Sequence, residues 1–359
     1  MSILDRYLVR GLLVRIGAAT GAFLTVSVIV DLFERLDTFI DHDVPALTIL
    51  NYYVATLPYL FVLILPVACL IAALFVLGGM ARRNELIAMT ASGISLYRIL
   101  IPVWVAGGLL ALVGLGFTVK LVPWGNHVST TIYDHEIKGR PMISGSVRRD
   151  LNYLGADGRF FLIRRFDGDD GRMEDVVVQQ FADGTLVRRI DAKRADWTED
   201  DHWVFHEGFI RRFQNDRVEA EAFEQRVFDD ISERPADFLR LVKEPDEMSL
   251  RELRAHVKRT EASGGDATKL KVDEQMRYSF PFASFIVMLL TAPLSGAIRR
   301  GGHALGFGLA LLVSFTYYVL LEVGKTFGYN ATFPPALAAW LPNLVFAGLG
   351  VFGLVRTRK

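Results

Sequence analysis

"LFVLGGMARRNELIAMTASGISLYRILIPVW", residues 74–104, sets Arg82, Arg83 and Glu85 between two apolar runs. A helix crossing hydrocarbon needs about 20 apolar residues, and each run belongs to a stretch that can supply them. A two-residue turn would join two spans equally well. The charged, helix-competent interval from about Met80 to Ala91 must therefore serve something besides connection.

Working outward, six stretches long and apolar enough to span are predicted at about 12–36, 50–80, 98–122, 278–298, 303–324 and 334–355. The chain has 359 residues, 51% of them apolar, with 40 Lys and Arg against 40 Asp and Glu. The apolar residues crowd the two ends and the charges crowd the middle. A net charge near zero is not the basic surface that nucleic acid requires. The start, "MSILDRYLVRGLLVRI", lacks the short apolar core and small-residue cleavage site of a signal peptide, and reads as an amphipathic lead-in at the membrane surface. Cys69 is the only cysteine, which excludes an internal disulfide and suits an inert buried thiol.

Lys and Arg in short loops fix orientation. Alternate connections carry Arg6, Arg10 and Arg15, then Arg82, Arg83 and Arg98, then Arg299 and Arg300, then Arg356, Arg358 and Lys359. The intervening short connections carry Asp37, Asp41 and Asp43 in one case and only Lys325 in the other. Both termini and the opening segment are expected in the cytoplasm, and the polar stretch of about 124–270 outside.

That polar stretch is mostly β. "RFFLIRRF" (159–166), "MEDVVVQQF" (173–181), "TLVRRIDAKRADW" (185–197), "HWVFHEGFIRRF" (202–213) and "RVEAEAFEQRVF" (217–228) are rich in β-branched and aromatic residues, with turn formers between them. Such spacing suggests a sandwich, jelly roll or barrel-like sheet. Ser249 and Glu252 form a capping-box pattern ahead of a helix that Ser263-Gly264-Gly265 would end. The expected fold class is an α-helical membrane protein of six spans, three plus three, with an inserted jelly-roll-like all-β domain. Its expected parts are 1–123, a membrane half with the charged helix at about 80–94, then 124–248, the β domain, then 249–359, a connecting helix and the second membrane half.

No phosphate-cradling G-x-x-x-x-G-K-[ST] loop exists. "GGHALGFGLA" and Gly17-Ala-Ala-Thr-Gly21 read as small-residue helix-packing patterns. His202 and His206 share a strand face but lack further zinc ligands, so a solvated face explains them. "DGDDGRME" (167–174) lacks the calcium-loop spacing and reads as a hairpin turn. An ion-coupled carrier keeps ionisable groups at mid-membrane, whereas Asp31, Glu34, Lys120, Glu322 and Lys325 all fall near the outer ends. A transporter with neither an ATP site nor a coupling-ion site takes its work from another chain. Arg82 and Arg83 alone would serve as orientation anchors, but Glu85 adds nothing to such an anchor. With Leu86 and Met89 on its surface and Gly93 ending it, the short helix also reads as a docking surface for a cytoplasmic partner.

"RRNELIAMTASGIS" followed by "YRILIPV" resembles the inner-membrane permeases of the lipopolysaccharide-export ABC transporter, as do "LDRY" near the start, "LPYLFVLILPVACLIAALFVLGGMARRNEL", "AKRADW" and "FPFASFIVMLLTAPLSG". The similarity covers the whole chain, and the "LDRY" start leans toward the paralogue lettered G. It implies a heterodimer with a paralogous permease, a cytoplasmic ABC ATPase dimer that docks on a Glu-centred coupling helix, a single-span periplasmic bridge protein, and lipopolysaccharide as cargo. On that basis Glu85 carries the power stroke, flanked by Arg82, Arg83, Leu86 and Met89. The chain itself binds no cofactor, and ATP is used by the partner ATPase. The lipid would lie between the first and fifth spans, with Arg35, Phe33, Tyr59 and Tyr317 as candidate contacts. Arg35 stands among five acids in "VIVDLFERLDTFIDHD", and an ion pair with Asp31 or Glu34 accounts for it equally well. Two other readings share the topology. One is a signalling or structural membrane protein; the other is a tethered periplasmic enzyme.

Overall fold

The computed structural model describes residues 3–138, 147–155, 159–182, 185–198, 201–214, 217–239, 243–262 and 266–356. In chain order the first helices are α1 (Ile3–Asp41), α2 (Ala46–Arg82) and α3 (Glu85–Ala91). A continuous helix α4 (Leu96–Ile137) follows. The strands are β1 (Val147–Leu154), β2 (Arg159–Asp167), β3 (Arg172–Ala182), β4 (Thr185–Trp197), β5 (Trp203–Gln214) and β6 (Arg217–Val227). Short α5 (Pro235–Leu239) and α6 (Leu250–Ala262) precede α7 (Thr268–Leu294), α8 (Ala304–Tyr329) and α9 (Pro335–Arg356). Contacts divide the chain into two compact units, Met1–Lys138 with Pro245–Leu250 and Thr268–Lys359, and Gly139–Glu244 with Arg251–Ala267.

Six helices of the first unit, α1, α2, α4, α7, α8 and α9, are long and apolar enough to cross a bilayer. Only helices and closed barrels satisfy every backbone polar group there. α2 is the axis of the unit. Leu8, Leu12 and Ile16 of α1 meet its Leu65, Cys69 and Leu77, together with Ile99 and Val103 of α4. On another side its Leu70 and Leu74 meet Val287 of α7, Tyr317 of α8 and Phe346 of α9. A helix enclosed all round must be apolar all round, and that is how residues 57–81 read. In lipid this packing gains no hydrophobic driving force, so close contact decides it. A Cβ on Gly324 would lie 2.5 Å from the carbonyl oxygen of Ala338, so α8 and α9 approach at a distance only glycine permits.

The predicted spans match these six helices. The division expected after residue 123 instead falls inside α4. Widened π-helical turns at Phe117–Leu121 and Ile132–Ile137 carry the helix past Pro123. The C-terminal part of α4 also holds the returning chain: Asn126 Nδ2 donates to the Asp246 carbonyl at 3.2 Å, and His127 Nδ1 lies 3.2 Å from Glu247. α6 begins directly after Ser249 but groups with the sheet rather than with the second membrane half.

The second unit is a six-stranded antiparallel meander whose strands neighbour one another in chain order. This is the expected all-β insertion, without crossover connections among the described residues. One row across it runs Phe161, Val178, Ile190 and Ile210 in register. All four are buried, as period-2 alternation requires when one face is covered. The cover is the segment after β6, where Phe228, Ile231 and Phe238 close on Phe205, Phe166 and Trp203. β1 had no counterpart among the predicted strands.

Arg159, only 1% exposed, pins that cover. Its Nε lies 3.4 Å from the buried carboxylate of Glu233, and its Nη1 donates to the Asp230 carbonyl. The Trp203 indole donates to the Glu233 carbonyl at 2.7 Å. Breaking a buried pair leaves one uncompensated charge, at a cost of about 3–5 kcal/mol. Arg159→Met is expected to lose that much local stability, read as faster amide exchange across β2–β5 in the full chain. Arg159→Met with Glu233→Gln should recover part of it.

Candidate functional site

The charged segment is a second helix set at an angle to the first. α2 ends at Arg82, and Asn84 turns the chain in the left-handed region at φ 58° before α3 begins at Glu85. Asn tolerates that conformation better than most residues because its short side chain can bond locally. At the other end Gly93, at φ 85°, closes a Schellman motif, with Ile94 N donating to the Met89 carbonyl at 3.1 Å and Gly93 N to that of Thr90 at 3.0 Å. Ser95 caps α4 by accepting from Arg98 N. The Arg98 guanidinium then forks onto the largely buried Asp5 carboxylate at 2.7 and 3.1 Å, joining the starts of α1 and α4.

α3 is thus fixed at both ends, and its sides divide. Leu86 and Met89 are half-buried against the core formed by α1, α2 and α4. This corrects the expectation that they lie on the docking surface; seven residues are two turns, and the helix seats itself by turning those two inward. Ile87, at 46% exposure, points outward instead, with Ala88, Thr90 and Ala91 also exposed. Glu85 is half-buried, 3.2 Å from Arg83 Nε, and accepts from the Tyr7 hydroxyl at 3.4 Å. Arg82 leaves this group, since it belongs to the last turn of α2.

The candidate lipid contacts part company as well. Phe33 is 70% exposed on α1 and Tyr59 is 45% exposed on α2. Arg35 Nε is 2.9 Å from Asp31, its guanidinium carbon is 4.5 Å from the Tyr133 ring centroid, and the Tyr53 hydroxyl donates to Asp31 at 3.0 Å. The ion-pair account of Arg35 is the one the structure takes. Tyr317 is 1% exposed and its hydroxyl donates to Asn343 Oδ1 at 2.9 Å, so it is a core residue and cannot touch lipid. Its neighbour Tyr318 takes the lining position that sequence assigned to Tyr317. With Phe23 of α1, Leu63 and Val67 of α2, and Leu311 and Phe315 of α8, it bounds an apolar cavity of about 500 Å³. Nothing lies within 4 Å of a Cβ added at Gly17, Gly21 or Gly308, so these three glycines face no other helix of this chain, whereas Ala310 of the second pattern is buried in the core with Leu70 and Leu74 of α2.

His206 lies 3.3 Å from Asp196, which Arg172 and Arg194 also pair. Among the described residues no three His, Cys, Asp or Glu side chains gather as a metal site would need. The Asp167 carboxylate accepts from Asp169 N at 3.2 Å in the β2–β3 turn.

A three-plus-three helical membrane unit, an all-β insertion and a short helix between the second and third spans make this a multi-pass membrane protein. Residues 6–356 match the family described as lipopolysaccharide export system permease LptF/LptG. The chain belongs to that family. It is 22% identical over 350 residues to the LptG permease of Haemophilus influenzae, covering 96% of each chain. It is 22% identical to LptG of Escherichia coli K12, covering 99% of this chain and 98% of that one. It is equally 22% identical to the paralogous LptF of the same strain, over 97% and 93%. The protein is accordingly a multi-pass inner-membrane protein of a family that supplies both members of a permease pair.

Gly93→Ala puts a side chain into left-handed backbone, which costs about 1–2 kcal/mol. Amides of α3 are expected to exchange faster in that variant while those of α2 are unchanged. Asp5→Asn should loosen residues 95–98 in the same experiment.

Proposed function

We propose that this chain is the G-type permease subunit of a transporter that lifts lipopolysaccharide out of the inner membrane, driven by a separate ATPase. The observation that carries the reading is α3, a short helix that starts at Glu85, is closed at its far end by the Schellman motif at Gly93, and is joined to the central helix of the bundle through the left-handed turn at Asn84. Such an element suits transmission of a partner's movement, and the relatives are named as export permeases. α3 would face the cytoplasm with both termini, as the Lys and Arg of the short loops favour, and the sheet would face the periplasm. Domain boundaries near 1–123, 124–248 and 249–359 are then refined to the compact units described above.

Glu85 is the residue on which the ATPase would grip, steered by Arg83, with Ile87 giving the apolar contact that Leu86 and Met89 do not. The chain would use no cofactor of its own, ATP being consumed by the ATPase dimer. The lipid's acyl chains would enter the cavity bounded by Phe23, Leu63 and Phe315, between the first and fifth spans, with Phe33 and Tyr59 farther out. The paralogous permease would cover the small-residue faces at Gly17, Gly21 and Gly308, and a single-span bridge protein would receive the lipid. Because Arg35 is neutralised by Asp31, most cationic contacts to the lipid's phosphates would come from the partner permease.

Replacing Glu85 by Ala is expected to reduce co-purification of the ATPase at least tenfold and to stop export. An unaltered complex with unaltered export removes that role from Glu85. Photo-crosslinking residues at Phe23 and Phe315 should capture lipopolysaccharide in cells. Capture of none, with the ATPase still bound, would return the protein to the signalling alternative.

A further inference from the structure

A second cavity, of about 700 Å³, lies at the α3 end of the membrane unit and is lined by Arg15, Phe75, Gly79, Arg82 and Arg83. Arg15 of α1, Arg82 of α2 and Arg83, the residue that follows α2, all line it, and no carboxylate is in its lining. We propose that Arg15, Arg82 and Arg83 bind the phosphate of an anionic phospholipid in the headgroup layer on that side of the membrane. The inference does not rest on the export reading.

Orientation anchors need only positive charge near the interface. Arg6 and Arg10 meet that need from the exposed surface of α1 without lining the cavity. The three cavity arginines do more, because they share one space. Arg15 spends one N–H on the Gly11 carbonyl at 3.0 Å, and the Arg83 Nε is shared between Glu85 at 3.2 Å and the Gly79 carbonyl at 3.5 Å. A guanidinium has five N–H donors in a planar fork that matches phosphate oxygens, so each keeps donors for a ligand. Three guanidiniums against the one carboxylate of Glu85 leave two positive charges. That balance favours an anionic head group and disfavours a zwitterionic one, whose ammonium it repels. Basic pockets between spanning helices are a known form of headgroup site.

The cavity also adjoins the break between α7 and α8. Gly302 is non-helical at φ 75°, and a Cβ placed there would lie 3.8 Å from Arg82 Nη1. A phosphate held by Arg15 and Arg82 would therefore sit beside α1, α2 and the entry to α8 at once. The lipid would act as a fastener between the two membrane halves.

The test is native mass spectrometry of the full chain in detergent, titrated in turn with phosphatidylglycerol, phosphatidylethanolamine and inorganic phosphate. One phosphatidylglycerol is expected to be retained in preference to phosphatidylethanolamine. Arg15→Gln with Arg82→Gln should weaken that retention about tenfold or more, while Arg10→Gln leaves it unchanged. Displacement of the lipid by millimolar inorganic phosphate would support the phosphate chemistry but assign the site to a soluble anion. Failure of inorganic phosphate to displace it assigns the site to the lipid. Equal retention of the two lipids, or equal loss in Arg10→Gln, overturns the proposal. Should the double variant lose its fold, Arg82→Lys keeps the charge but not the fork. A drop of about threefold in that variant supports the site, and no drop overturns it.

Discussion

The enclosure of α2 is the constraint on which the membrane unit depends. Every other long helix of the first half, and the three of the second, finds its place by packing on or around it. Because lipid offers no less favourable home for an apolar side chain than a protein core does, only fit holds such a bundle together. That explains why small residues recur where helices meet closely, as at Gly324 against Ala338. It also explains why the ionisable groups collect at the two ends, where water can reach them.

The two ends are organised differently. At one, the Asp5–Arg98 fork and the Schellman motif that ends α3 fasten short connections to the bundle. At the other, Arg277 donates to the carbonyls of Pro245 and Met248, which holds the returning chain against the start of α7. Around Arg35 the aromatic rings of Tyr52 and Tyr133 and the carboxylate of Asp31 form a closed set. A cation so placed is satisfied within its own chain.

Length and composition made the six spans legible, since a bilayer demands about 20 apolar residues and little else in the chain supplies them. Alternation made five of the six strands legible, to within a residue or two at most ends. β1 escaped because "VRRDLNYL" carries four polar residues and so lacks the apolar alternation of the other strands, although Pro141 and Ser144-Gly145-Ser146 stand ahead of it. The extent of α4 escaped because Pro123 and a polar tail look like a helix end, and only the widened turns rescue it. Within α3 the charges were legible but not the phase of the helix. One apolar residue more or less at the hinge would turn Leu86 outward and Ile87 inward. Tyr317 and Tyr318 show the same limit, for adjacent tyrosines differ by 100° around a helix. The meeting of Arg15 with Arg82 and Arg83 lay beyond sequence altogether, because nothing in their spacing says that α1 and α2 bring them to one cavity.

The left-handed turn at Asn84 has a mechanical consequence. A glycine there would make a swivel, free to take up almost any angle between α2 and α3. Asparagine admits the bend but holds it in a narrow well, so the joint is an elbow rather than a ball and socket. Force applied to α3 is then passed into the axis of α2 instead of being lost as rotation, and whatever packs on α2 must follow.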